Sequence, residues 1–154
     1  MLERLRRFRA LERTAQILFL RSFMLLPVVS LSLKWRGFGA TRSTLEGLFK
    51  KSRPLSNTTE KEDRAAQTTR MVHAAVRYGV GRPSCLEESL VLWYLLGRQG
   101  IASQLRIGIR KEDGKFGAHA WVERNREALN QPDAQHRHYA AFDASFSSQS
   151  PESE

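Results

Sequence analysis

PSCLEESLVLWYLL, residues 83–96, decides how the rest of this chain is to be read. Ser84 followed by Glu87 is the pattern of a capping box, with Ser at the N-cap and Glu at the third helical position. That makes Cys85 the first residue of a helix. Leu86, Leu90, Trp93 and Leu96, together with Val91, Leu92, Tyr94 and Leu95, make the helix apolar nearly all round. Such a helix belongs in the centre of a domain, with other elements on every side. Cys85, the only cysteine of the chain, has two readings here. Free cysteine is one of the most buried residue types and packs as a small hydrophobe. At a helix N-terminus, however, unpaired backbone N–H groups and the positive end of the dipole favour thiolate over thiol. Glu87 and Glu88 oppose that effect.

Working outward, a helix from Glu60 precedes this one, with Ala65, Thr69, Val72, His73 and Val76 on its inner face, where His73 is expected to serve packing. Arg77-Tyr78-Gly79-Val80-Gly81-Arg82-Pro83 ends it. After Gly97 and Gly100 the pattern changes to period two. Gln104–Arg110 alternates as a strand does, Asp113-Gly114 is a turn signal, and Phe116–Glu123 is a second strand. Arg124–Glu127 turns the chain into a third strand from Ala128, and Tyr139–Phe142 forms a further short one. The result is an α+β core, a buried helix packed on an antiparallel sheet.

The first third is different in kind. Residues 1–53 hold nine Arg and three Lys against three Glu, whereas residues 54–154 are balanced, so the whole net charge of +9 lies in the first third. Leu2, Leu5, Phe8 and Leu11 recur at helical spacing, and Ser43–Lys51 reads as a second short helix. Residues 17–33, ILFLRSFMLLPVVSLSL, resemble a signal segment in apolarity. Arg21 interrupts the run, Pro27 is expected to end or kink the helix, and no small-residue cleavage pattern follows. The run is also shorter than the roughly 20 uncharged residues of a spanning helix. Three environments suit it: a partner protein, the rest of the domain, or a membrane surface. The Ser, Pro, Asn and Thr of residues 52–59 read as a linker. The chain therefore divides into a basic amphipathic helical extension at 1–53, a core at 60–146 and a disordered polar tail at 147–154. A single cysteine excludes an internal disulfide or multi-cysteine zinc site. His136 and His138 alone are too few for a metal centre, and no metal or cofactor is expected. A nucleic-acid partner would rest on the basic third alone and is not expected either.

If Cys85 is a nucleophile it needs a base near in space and distant in sequence. His119, on the second strand, fits that role, although a hydrogen-bonded core histidine fits the same pattern. Asn130, Gln131 and Asp133 lie beyond the hairpin turn, where a third group could orient the imidazole.

Pro83-Ser84-Cys85-Leu86, Ser89-Leu90, Gly100-Ile101, Leu105–Ile109, Ala118-His119-Ala120-Trp121-Val122-Glu123 and Tyr139–Asp143, in this order, resemble the transglutaminase-like cysteine peptidases of lasso-peptide biosynthesis. The basic, apolar N-terminal helices are similar to those of the stand-alone form that removes the leader from the precursor peptide. The resemblance implies a transglutaminase-like, papain-like fold, with Cys85 as nucleophile and His119 as base and then acid. It also implies a cytoplasmic setting, with or without membrane association. The implied partners are the precursor peptide, a separate leader-binding protein and the cyclase that closes the lasso ring. Family members usually carry Asp about twelve residues after the His. Here that position is Gln131, so the orienting residue is Asn130 or Gln131, with Asp133 in reach. The same departure allows a catalytically weak scaffold joining leader-binding protein and cyclase. Acyl transfer to an amine instead of water is the other enzymatic alternative.

Overall fold

The computed structural model describes residues 11–49, 58–79, 81–112, 115–130, 140–141 and 146–147. Three helices come first: α1 (Arg13–Phe49), α2 (Thr58–Tyr78) and α3 (Cys85–Arg98). Five strands follow: β1 (Gln104–Glu112), β2 (Lys115–Arg124), β3 (Glu127–Ala128), β4 (Ala140–Ala141) and β5 (Phe146–Ser147). The sheet order is β3-β2-β1-β4, with β5 also paired to β1, and every pairing is antiparallel. The α+β layout is thus present in the order that the change of period from helical to alternating indicates. Ser147, expected to open the polar tail, instead pairs with Gln104 in β5.

The core forms around α3. Leu90, Val91, Leu92, Trp93 and Leu96 have no solvent exposure. They pack with Leu26, Val29, Leu45 and Phe49 of α1, Ala65, Val72 and Ala75 of α2, and Leu105 and Val122 of the sheet. Leu105 and Val122 are partners in the β1–β2 register, so one inward-facing pair closes the sheet side of the core. Burial of each such large side chain contributes about 1.5–3 kcal/mol. The Phe49 ring meets Trp93 edge-on, with centroids 4.8 Å apart and planes at 88°. Gly97 permits this approach of α1 to α3, because a Cβ there would lie 2.6 Å from Phe49 Cγ. The expected division near 52–59 falls mostly on residues outside those described. The helices on either side of it share this one core.

α1 departs from expectation in where it breaks. Pro27 lies inside the helix and does not end it; the non-helical residue is Gly37, at φ 76° and ψ 175°. Ser32 Oγ and Thr41 Oγ1 stand 2.8 Å apart across that point. Nine residues of straight helix would separate them by about 13 Å along the axis. Glycine takes this positive φ without the penalty a Cβ would bring. Residues 13–36 and 38–49 are therefore two helical pieces at an angle, both contributing side chains to the one core.

Candidate active site

The first turn of α3 is built as its sequence indicates. Ser84 is the N-cap, and the Glu87 N–H donates to Ser84 Oγ at 3.3 Å. In return the Ser84 N–H donates to Glu87 Oε2. This reciprocal pair fixes the entry of the chain into the helix. Cys85 is the first helical residue and is partly exposed as a free thiol. The residue after the N-cap is therefore held in place while its sulfur remains reachable.

One turn further on, Ser89 is fully buried. Its hydroxyl donates to the Ala120 carbonyl of β2 at 3.0 Å, and it accepts from Asn130 Nδ2 at 2.9 Å. Asn130 Oδ1 in turn accepts the Val122 N–H at 2.8 Å, and the Leu129 N–H donates to the Val122 carbonyl at 2.8 Å. The bonds from Ser89 and Asn130 close a buried link from helix to strand to the turn after β3. Every polar side-chain atom in it has a partner, as burial requires. β3 covers the edge of β2 only at Glu123 and Arg124. Ala120 lies beyond that cover, and its carbonyl meets α3 instead.

His119 stands immediately before Ala120 and opposite Gly108 of β1. Its imidazole is half-buried and stacks on Trp121, with centroids 6.2 Å apart and planes at 20°. Strand alternation sends His119 and Trp121 to one face and Ala120 and Val122 to the other. Val122 packs in the core around α3, and Ser89 of the helix reaches the Ala120 carbonyl. The Ser89–Ala120 bond thus registers the start of α3, with Cys85 one turn before Ser89, against the strand position next to His119.

Asn130 is almost wholly buried, and its bonds run to Ser89 and Val122. Gln131 and Asp133 lie outside the described residues, as do His136 and His138. Among the described residues no group of three or more His, Cys, Asp or Glu is placed to hold a metal ion. His73, expected on the inner face of its helix, is instead half-exposed. Its Nε2 stands 3.4 Å from Oε1 of Glu88 on α3, the more buried of the two side chains. Burial holds the Glu88 carboxyl above its ordinary range, and the nearby His73 opposes that rise.

A cleft of about 370 Å³ lies beside the N-terminal end of α3, between α1 and the loop that leads into Cys85. Pro27, Leu31 and Lys34 form one wall, and Arg82, Pro83 and Glu87 the other. In the sequence Ser89 stands out only as a small hydroxyl next to the apolar run Leu90–Trp93, four residues after the cysteine.

The site thus combines a cysteine opening the central helix, a histidine on a strand of the antiparallel sheet, and a buried polar link from Ser89 to Ala120 and Asn130. Residues 25–142 match the family model of the transglutaminase-like superfamily. The chain belongs to that superfamily, whose members generally have cysteine-dependent catalytic activity. The matched stretch begins inside α1, ahead of α2. Comparison with curated proteins and with solved structures gives no match.

Proposed function

We propose that this protein is a cysteine endopeptidase with a papain-like arrangement, which removes the leader from a ribosomally made lasso-peptide precursor. The observation that carries the reading is the Ser89–Ala120 hydrogen bond, which sets the capped first turn bearing Cys85 against the strand position next to His119. In this reading His119 takes the thiol proton, and the Cys85 sulfur attacks the carbonyl at the leader–core junction. His119 then protonates the leaving amine, leaving a thioester on Cys85. Water, deprotonated by the same histidine, hydrolyses that thioester and frees the thiol. The cleft between Leu31 and Arg82 leads to this end of the helix and is where the peptide approaches. Asn130 acts as a clamp on Ser89 and Val122, which leaves orientation of His119 to Gln131 or Asp133. A separate leader-binding protein presents the substrate, and the cyclase takes the product.

The test is mass spectrometry of a lasso precursor incubated with the full chain and a leader-binding protein, with wild type and Cys85→Ala side by side. Leader release by wild type alone is expected. Precursor that stays intact with wild type, while still bound, would move the protein to the scaffold role. Incorporation of an added amine at the cleaved carbonyl would make it a transferase.

A further inference from the structure

The first piece of α1 is apolar on two opposite sides. Ala15, Leu18, Leu26 and Val29, with Ser22 among them, are buried on the side toward the rest of the fold. On the other side Ile17, Leu20, Met24, Val28, Leu31 and Trp35 stand in the open, from 48% exposed at Ile17 to 79% at Trp35. Their spacing of three or four residues makes one stripe. From Ile17 to Trp35 it is about 27 Å long at 1.5 Å per residue. A patch of that size on a folded protein marks a contact with something else.

The charges around the stripe say what that is. Arg13, Arg21, Lys34 and Arg36 are exposed along it, and residues 13–36 contain no Asp or Glu. On a helical wheel Arg21 and Arg36 fall on one flank of the stripe and Lys34 on the other, while Arg13 continues it at the N-terminal end. Two copies pressed stripe to stripe would set these cations against each other with no carboxylate between them, so self-association is disfavoured. A negatively charged surface satisfies both flanks at once. Trp35, between Lys34 and Arg36 at the end of the stripe, is the residue type that settles at a membrane–water interface. Long cationic side chains on each side can lie along the apolar layer and keep their charges at the headgroups.

By length and composition alone α1 is long and apolar enough to cross a membrane. Residues 17–33 alone are too short to span, but the helix extends beyond them on both sides. Spanning nevertheless conflicts with the packing. Leu26 and Val29 would have to leave the core they share with Trp93 and Val72, and Arg21 would enter the hydrocarbon.

From the stripe and its charges we infer that residues 13–36 of α1 dock in the plane of an anionic phospholipid surface, through Ile17, Leu20, Met24, Val28, Leu31 and Trp35. Leu31 and Lys34 also line the cleft beside the α3 N-terminus, so the docked surface runs along the edge of that cleft. This inference stands on the surface alone and does not depend on the peptidase reading.

The test is co-sedimentation of the full chain with vesicles of phosphatidylcholine, with or without about one third phosphatidylglycerol, at low and high salt. Binding to the anionic vesicles is expected, weakened at least about ten-fold without the anionic lipid or at high salt, since surface charge attraction is screened. It should also fall at least about ten-fold in Leu20→Asp/Met24→Asp/Val28→Asp, with the thermal midpoint unchanged because these side chains are already exposed. A blue shift of tryptophan emission on binding, absent in Trp35→Phe, would place the stripe itself at the lipid. Failure to bind anionic vesicles, or equal binding by the triple variant, would overturn the inference. So would a triple variant that loses only a protein partner while wild type ignores vesicles.

Discussion

α3 is apolar nearly all round and the first piece of α1 on two opposite sides, yet the fold treats them differently. In α3 Leu90, Leu92, Trp93 and Leu96 reach zero exposure, because α1, α2 and the sheet surround it. In α1 only one side is covered, and Met24 and Trp35 remain 65% and 79% exposed. Apolar composition alone therefore does not say whether a helix is central. What separates the two is the distribution of charge. The run from Leu90 to Leu96 holds no charged residue, whereas Arg21, Lys34 and Arg36 flank the open stripe of α1.

The comparison breaks most easily at its two extremes. Trp93→Ala should cost about 3–5 kcal/mol of unfolding free energy, by loss of transfer energy and a cavity against Phe49. Trp35→Ala should stay within about 0.5 kcal/mol of wild type. Urea unfolding of both variants measures the contrast, and similar losses would erase the distinction between the helices. Next in size is the close approach of α1 to α3. Gly97→Ala places a methyl against the Phe49 ring and should cost about 1–3 kcal/mol through overpacking. Phe49→Leu in the same chain should recover part of it, read by the same unfolding curves.

The polar link is the one exception inside the apolar centre, and it sharpens the contrast further. Asn130→Ala leaves the Val122 N–H and one side of Ser89 without partners, at about 1–3 kcal/mol. Ser89→Ala should cost a comparable amount, and the double variant less than the two losses together, since the residues share one network. Thermal unfolding of the three variants tests this. The smallest effect concerns Glu88. Its carboxyl is held above its ordinary range, first by burial and against the pull of His73. Between the ordinary carboxylate value and that raised value, the unfolded chain has released the proton and the folded chain has not. Stability from this group thus falls as pH rises through that window. Glu88→Gln should gain stability relative to wild type as pH is raised from about 4 toward neutral, as urea midpoints at several pH values will show.

Much of this arrangement is legible in the residues. The capping box at Ser84 and Glu87 and the alternation around Ile107 and Trp121 are local patterns, and local geometry follows from them. Long-range facts leave weaker traces. Pro27 is a helix breaker by chemistry, yet the chain continues through it and bends at Gly37, where the two pieces of α1 must turn to reach the same core. His73 lies on an apolar face by spacing, but it sits half-exposed beside Glu88 of another helix. Ser89 acquires its role from Ala120 and Asn130, thirty or more positions away, and no short window contains all three. Asn130, a candidate for orienting His119 by its place beyond the hairpin, instead spends its side-chain bonds on Ser89 and Val122, which only the folded chain brings together.

The central claim is that Cys85 and His119 form one reactive pair. It is tested most directly by the rate of iodoacetamide alkylation near neutral pH, followed by intact mass in wild type and His119→Ala. The chain has a single cysteine, so the mass change reports Cys85 alone. The account predicts rapid alkylation of wild type and a rate lower by at least about ten-fold in His119→Ala, with both proteins folded by circular dichroism. Equal rates in the two would contradict it, and would leave Cys85 as a partly exposed thiol at a helix start.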